Sequence, residues 1–282
     1  MFSKMPKIPI GDFVESLVDW ILLHFGSTLL DFGEILDDSV DYFNEEILLA
    51  IPPEWFILII SFLAYFVGRK NIKMAFWTAA GFLLILNQEL WEMAMETLAL
   101  VISSAILALF IGIPTGILSA KSEFLERLLR PLLDFMQTMP SMVYLVPAIF
   151  FFSIGNAPGI FATIIFAMPP AIRLTSLGIR QVPKELDEVA DAFGSNGLQK
   201  LLKVELPVAL PTILAGVNQC IMLSLSMVVI SSMIGVRGLG SQVLYALQRT
   251  DIGLSFEAGL GVVIIAMFLD RISQSLSLKK KG

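Results

Sequence analysis

The chain has 282 residues, of which 56% are hydrophobic and only 16% are charged, and its formal net charge is −6. A mean hydropathy of +0.80 excludes an ordinary soluble domain, and the acidic balance gives no basic face for nucleic acid. Because backbone polar groups inside lipid must be paired within the chain, the long apolar runs predict helices. The composition therefore predicts an all-α, polytopic membrane protein.

Residues that carry acid–base or metal chemistry are scarce. The only histidine is His24, and the only cysteine, Cys220, lies within an apolar run. No GxxxxGK[ST] phosphate loop occurs, so the chain does not bind and hydrolyse ATP by that route. We therefore predict no catalytic residue, no metal site and no cofactor bound by this chain.

Residues 1–54 differ from the rest because apolar and acidic residues alternate there at helical spacing. Both 10–21 and 29–47 have an apolar face opposite a largely acidic one. We predict amphipathic helices that lie on the membrane surface or pack against the bundle, on its extracellular side. A solvated helical spacer is the alternative.

Seven apolar runs follow, and a full crossing takes about 20 residues. They are residues 55–68, 74–86, 95–118, 132–154, 160–177, 212–234 and 254–269. The first two are short, so an extra or missing span near 55–87 stays open. The predicted organisation is an N-terminal region (1–54), two accessory membrane helices (55–88), a core (89–272) that includes a polar loop (182–211), and a basic tail (273–282).

The distribution of lysine and arginine predicts the orientation. With the N-terminus outside and the C-terminus in the cytoplasm, 15 of the 19 basic residues fall on the inside. Only Lys4, Lys7, Arg237 and Arg249 remain outside. The polar loop between the fifth and sixth runs is therefore expected in the cytoplasm.

This polar loop predicts two short helices joined by a glycine. Leu186, Val189, Ala190 and Phe193 can form an apolar stripe on the first helix, and Gly194 permits the turn. A second helix is expected over 198–204, before Leu206-Pro207. Nothing else in the loop can cover its apolar face, which indicates a protein partner.

The spacing in this loop resembles a family motif. Glu188-Val189-Ala190, three residues, Gly194, nine residues, Val204, one residue and Leu206-Pro207 are similar to the "EAA" loop of binding-protein-dependent ABC importers. Val189 and Val204 stand where that pattern has alanine and isoleucine. The resemblance implies a loop that docks on a cytoplasmic ATPase. The residues it places there are Glu185, Glu188, Val189, Ala190, Phe193 and Gly194, with Leu206 and Pro207 returning the chain to the membrane.

The resemblance extends over most of residues 90–272. FMQTMP at 135–140, FAMPP at 166–170, RLTSLG at 173–178 and MIGVRGLG at 233–240 look like the glycine betaine/proline betaine permeases of ProU or OpuA type. This implies the transmembrane fold of type I (MetI-like) ABC importers. It also implies these partners: an ATPase that holds ATP and Mg²⁺, an extracellular or periplasmic betaine-binding protein, a second copy of this chain, and the bilayer of a prokaryotic plasma membrane.

Polar residues inside the spans are candidates for the substrate pathway. They are Gln137, Thr138, Tyr144, Asn218, Gln219 and Ser226. Interhelical hydrogen bonding is the alternative for each of them. Gly235, Gly238 and Gly240 are candidates for an external gate in a flexible outer loop.

Three functional alternatives remain at this point. The leading one is the permease of an ATP-driven importer of glycine betaine, with choline or carnitine as other quaternary amines. An ion-coupled secondary osmolyte carrier should show ionisable residues in mid-span, and none is evident in the sequence. A membrane enzyme should show a cluster of catalytic side chains, and the sequence offers none.

Overall fold

The structure is a computed structural model, described for residues 9–68 and 70–278, with side chains to residue 275. In this part of the chain every regular element is helical, which confirms the predicted fold class. The helices are α1 (Ile10–Tyr42), α2 (Pro53–Val67), α3 (Ile72–Asn87), α4 (Trp91–Lys121), α5 (Glu123–Thr138), α6 (Leu145–Phe152), α7 (Asn156–Arg180), α8 (Lys184–Ala192), α9 (Gly197–Lys200), α10 (Leu206–Ser231), α11 (Leu239–Arg249) and α12 (Ile252–Leu278). Of the residues used to predict orientation, Lys4, Lys7, Arg69 and the lysines of 279–281 lie outside the described residues.

Five of the described helices are long and apolar enough to cross a membrane. Four of them contain α4, α7, α10 and α12 and correspond to predicted runs; the fifth is α1 with its extension to Leu48. The helices α2 and α3 are apolar but shorter, with 15 and 16 residues. At 1.5 Å per residue each is about 23 Å long, less than the roughly 30 Å hydrocarbon core.

The predicted fourth span, 132–154, is not one straight helix. α5 and the segment Ser141–Phe152 meet at an angle of 106°. The bend falls at Met139, whose φ of −66° and ψ of 137° are extended. The ring of Pro140 disfavours a helical conformation for the residue before it, and the helix ends there. The two pieces together make a sixth candidate span.

The N-terminal region forms one helix instead of the two predicted pieces. Its second half packs on the bundle through Gly33, Leu36 and Val40, which are buried. Asp37 accepts a hydrogen bond of 2.6 Å from the amide of Ala157 in the first turn of α7. Since the first amides of a helix lack partners within the helix, this carboxylate caps α7.

Side-chain bonds fix which helix ends lie together. Arg180 donates to the carbonyl of Ser119, and Lys121 pairs with Glu205. The ends of α4 and α7 and the start of α10 therefore meet at one end of the bundle, called here the loop end. At the opposite end Thr97 of α4 accepts a hydrogen bond from the amide of Leu239 in α11. α7 lies in the centre, between α4 and α10.

Candidate functional site

The polar loop contains the first short helix and the glycine turn that the sequence predicts. The second predicted helix, 198–204, does not end before Leu206-Pro207, because α9 continues through a π-helical stretch (Leu201–Glu205) into α10. α8 ends at a turn in which Gly194 has a φ of +73°, a left-handed conformation that favours glycine. α9 begins with a capping box. The Asn196 side chain accepts from the amide of Gln199, and the Gln199 side chain accepts from the amide of Asn196. Each short helix therefore has a local residue that sets its boundary.

The outer face of this loop is apolar and exposed. Leu186, Val189 and Leu198 are exposed, and Phe193 is 86% exposed. Leu202, one turn after Leu198, adds another exposed apolar side chain to this face. Ala190 differs, because it is buried. Glu185 and Glu188 are exposed beside these side chains. A ridge of exposed apolar side chains on a polar loop is typical of a protein-binding surface.

The loop is joined to the bundle at its base. Glu205 is 2% exposed and pairs with Lys121 at the end of α4. Within α8 and α9, Lys200 pairs with Asp191 at 2.9 Å. Leu206 and Pro207 are half-buried at the start of α10, directly after the π-helical stretch that joins it to α9. A displacement of the loop would therefore be transmitted to α4 and α10.

Four of the predicted pathway residues are exposed, and a fifth, Tyr144, is half-buried. Gln219 and Ser226 are exposed on α10, and their seven-residue separation places them on one face. Gln137 and Thr138 are exposed at the end of α5, next to the bend. Tyr144 is half-buried, and its hydroxyl donates to the carbonyl of Met136 at 2.7 Å. It therefore bridges the two pieces of the bent span.

Asn218 bonds to a neighbouring helix. Its amide nitrogen donates to Asp270 of α12 at 3.1 Å, and its carbonyl oxygen accepts from Ser273. Gln274 also donates to Asp270, at 2.7 Å. This network is interhelical hydrogen bonding, the alternative that the sequence left open for Asn218.

A family profile described as "binding-protein-dependent transport system inner membrane component" matches residues 112–280. The chain belongs to this family. It is therefore an inner-membrane transport subunit and not an enzyme, as the sequence predicted. The match begins within α4 and includes the loop and α10 to α12, which are the elements that carry the apolar ridge and its connections to the bundle.

Relatives match over nearly the full chain. The glycine betaine transport system permease protein OpuAB of Bacillus subtilis is 46% identical over 99% of this chain and 98% of its own. The glycine betaine/carnitine transport permease protein GbuB of Listeria monocytogenes is 47% identical over 99% of both chains. ProW of Escherichia coli, a glycine betaine/proline betaine permease protein, is 44% identical over 95% of this chain and 75% of its own.

Solved structures support the fold. The MetNI methionine ABC transporter in an inward-facing conformation matches with a TM-score of 0.60 at 22% identity, over 64% of this chain and 91% of that chain. A second crystal form of it matches with a TM-score of 0.60 over 67% of this chain and 94% of that chain. The MetI-like fold that the resemblance implied is therefore confirmed.

The three glycines predicted as a gate lie in a tightly packed turn. Gly235 and Gly238 have φ values of +94° and +117°, and Gly240 is already inside α11. A β-carbon on Gly238 would lie 2.5 Å from the Thr97 hydroxyl. The turn therefore holds α11 against α4, and its role as a gate stays a prediction.

Sequence reasoning did not single out Lys121, Glu205 or Asp270 as connecting residues. Glu205 sits at the unspecified position of the family spacing, between Val204 and Leu206, and nothing in the local pattern reveals its burial. One available signal was a charged residue directly before the apolar run of α10, since such residues are rarely buried unless they are paired.

Proposed function

We propose that this chain forms the translocation pathway of an ATP-driven, binding-protein-dependent importer of glycine betaine or proline betaine. The observation that carries the proposal is the near-full-length identity to two permease proteins whose names both include glycine betaine. The matched region includes the loop, the spans and the N-terminal helix. Because one of these relatives is also named for carnitine, a wider range of quaternary amines is the second candidate.

In this proposal the exposed ridge of α8 and α9 docks on a separate ATPase subunit, which binds ATP and Mg²⁺. Glu185 and Glu188 lie at its polar rim, and Val189 and Phe193 enter the partner's cleft. Ala190 and Gly194 hold the ridge in shape. The connection from Glu205 to Lys121 supports a transfer of force from the ATPase into α4. Leu206 and Pro207 carry the same movement into α10.

The assembly would contain two copies of this chain, two ATPase subunits and a binding protein outside the cell. The loop end of the bundle faces the cytoplasm, with the N-terminus outside. Gln219 and Ser226, together with Gln137 and Thr138, would line the pathway between the two copies. Because these groups are uncharged, they would make weak contacts with a betaine, and tight recognition would reside in the binding protein.

Reconstitution in proteoliposomes tests this function. The chain, its partner ATPase and the binding protein are assembled with ATP inside, and uptake of labelled glycine betaine is measured. We expect uptake that requires ATP and the binding protein. Uptake that runs on a sodium or proton gradient without ATP would show instead that the chain is a secondary carrier. Competition by proline betaine, proline, choline and carnitine then ranks the substrates.

A further inference from the structure

A large apolar groove lies between α3 and α12. It has a volume of about 740 Å³, within the usual range for ligand pockets. Its walls are mostly apolar, with Met74, Trp77 and Leu84 on α3 and Met267 and Phe268 on α12. Trp77 and Met267 are exposed, so the described residues leave the groove open along one side.

The two helices that form the groove approach each other closely at Gly81. A β-carbon on Gly81 would lie 2.8 Å from Ile264, so the helices approach there without a side chain between them. The helices run in opposite directions, and the lining residues from Gly81 to Asn71 on α3 face those from Ile264 to Gln274 on α12. The groove extends from this close approach toward the start of α3 and the end of α12.

Two basic side chains lie at that end of the groove. Lys73 is eight residues before Gly81, and Arg271 is seven residues after Ile264. At 1.5 Å per residue each is about 11 Å along its helix from the close approach, so both stand at one level. Within the described residues neither forms an ion pair, and the groove lining contains no carboxylate.

The neighbouring acid, Asp270, is not part of the groove lining and forms no ion pair with Lys73 or Arg271 among the described residues. Its oxygens accept hydrogen bonds from Asn218 and Gln274. The chain order gives the side of the membrane on which this end lies. α12 begins directly after α11, which lies opposite the loop end, and Asp270 near its far end reaches Asn218 in the middle of α10. The remaining residues of α12 continue toward the loop end, so the basic end of the groove belongs to the loop end of the bundle.

We propose that this groove binds one anionic glycerophospholipid from the leaflet at the loop end. An acyl chain lies between α3 and α12, against Trp77 and Phe268, and the phosphate contacts Lys73 and Arg271. Charge complementarity selects this occupant. An extended segment of protein would have to satisfy its backbone amides in an apolar groove, whereas an acyl chain has none to satisfy. Basic pockets between membrane helices bind anionic headgroups in the same way.

Quenching of Trp77 fluorescence tests the site in the full-length chain. The chain is placed in phosphatidylcholine nanodiscs that contain increasing fractions of a lipid with a brominated acyl chain, either phosphatidylglycerol or phosphatidylcholine. The Trp77 signal is the difference between the unaltered chain and Trp77→Phe. We expect half-maximal quenching at a several-fold lower fraction of brominated phosphatidylglycerol than of brominated phosphatidylcholine.

Substitutions separate the two parts of the site. Lys73→Gln and Arg271→Gln should each weaken the preference for phosphatidylglycerol roughly fivefold. The matched control is Lys70→Gln, because Lys70 belongs to the same basic segment but does not line the groove. Ala80→Leu, which narrows the groove, should reduce quenching by both lipids. Equal quenching by the two lipids in the unaltered chain, or an equal effect of Lys70→Gln, would overturn the proposal. Neither result depends on the transport function proposed above.

Discussion

Gly194 determines the shape of the exposed apolar ridge on the loop. Its φ is +73°, and a β-carbon there would meet no atom within 4 Å, so a substitution is resisted by the backbone conformation alone. We predict that Gly194→Val strains the turn by about 1–2 kcal/mol. The ridge should then dock poorly, and ATP hydrolysis should be uncoupled from uptake while the protein still inserts in the membrane. Both rates are measured in proteoliposomes.

Gly197 provides the matched control for this prediction. A β-carbon on Gly197 also meets nothing within 4 Å, but the residue is helical and has no left-handed conformation. Gly197→Val should therefore leave the ratio of uptake to ATP hydrolysis close to that of the unaltered chain. If Gly194→Val transports as well as Gly197→Val, the turn does not shape the docking surface.

The sequence predicts the structural roles of some residues well and of others poorly. Gly194 is predictable because its role is local, at the junction of two short helices. Asn218 is not, because its partners Asp270 and Ser273 lie more than fifty positions away in the chain. Helical spacing places Asn218 inside a span, but it cannot distinguish a pathway side chain from one that bonds to another helix.

Among the helices, the contact between the loop and α4 rests on Lys121 and Glu205. The Glu205 side chain is almost wholly buried, and its Oε2 atom has no hydrogen-bond partner among the described residues. We predict that Lys121→Met destabilises the protein by about 1–3 kcal/mol, because it leaves the carboxylate buried without a partner. Lys121→Met with Glu205→Met should recover most of this loss. Thermal unfolding in detergent measures both.

The control is the pair of Arg127 and Glu123, whose side chains are exposed. Exposed pairs contribute little, so Arg127→Met should change the melting temperature far less than Lys121→Met. An equal change in the two variants would mean that burial of Glu205 does not matter to the stability of the loop base.

The N-terminal helix is attached to the core through Asp37, and this contact can be tested. Asp37 accepts from the amide of Ala157, whereas Asp38 is exposed beside it. We predict that Asp37→Ala weakens the attachment by about 1 kcal/mol, because the start of α7 loses its cap. Hydrogen exchange should then accelerate in the second half of α1 and in the first turn of α7. Asp38→Ala should leave both unchanged, and an equal effect of the two would contradict the capping role.

The sequence also predicts whole elements unevenly. Within 29–47 the apolar spacing agrees with the burial of Leu36 and Val40, but Phe32 and Ile47 of the same face are exposed. Periodicity indicates an apolar face and not how much of it a neighbouring helix covers. Pro140 indicates a break in the fourth span, but the sequence does not give its size of 106°, because a proline can kink a span or end a helix. Which outcome occurs depends on how the two pieces pack, through contacts such as that between Tyr144 and Met136.

The molecule as a whole makes the orientation testable. Hydrogen bonds and ion pairs place the polar loop and the end of α4 at one end of the bundle, and α11 at the other. α12 begins directly after α11 and runs toward the loop end. The basic residues concentrate at the loop end, which favours the cytoplasm for that end. Cys220 is buried, so the unaltered chain should react little with a membrane-impermeant maleimide.

We therefore predict opposite labelling of two single-cysteine additions. Asp251→Cys, between α11 and α12, should react with the maleimide in intact cells. Lys203→Cys, at the exposed base of the loop, should react only after the membrane is permeabilised, because the lysines and arginines around it hold that end inside. The reverse pattern would place the loop outside the cell, where no cytoplasmic ATPase can reach it, and the docking role of the ridge would then have to be abandoned.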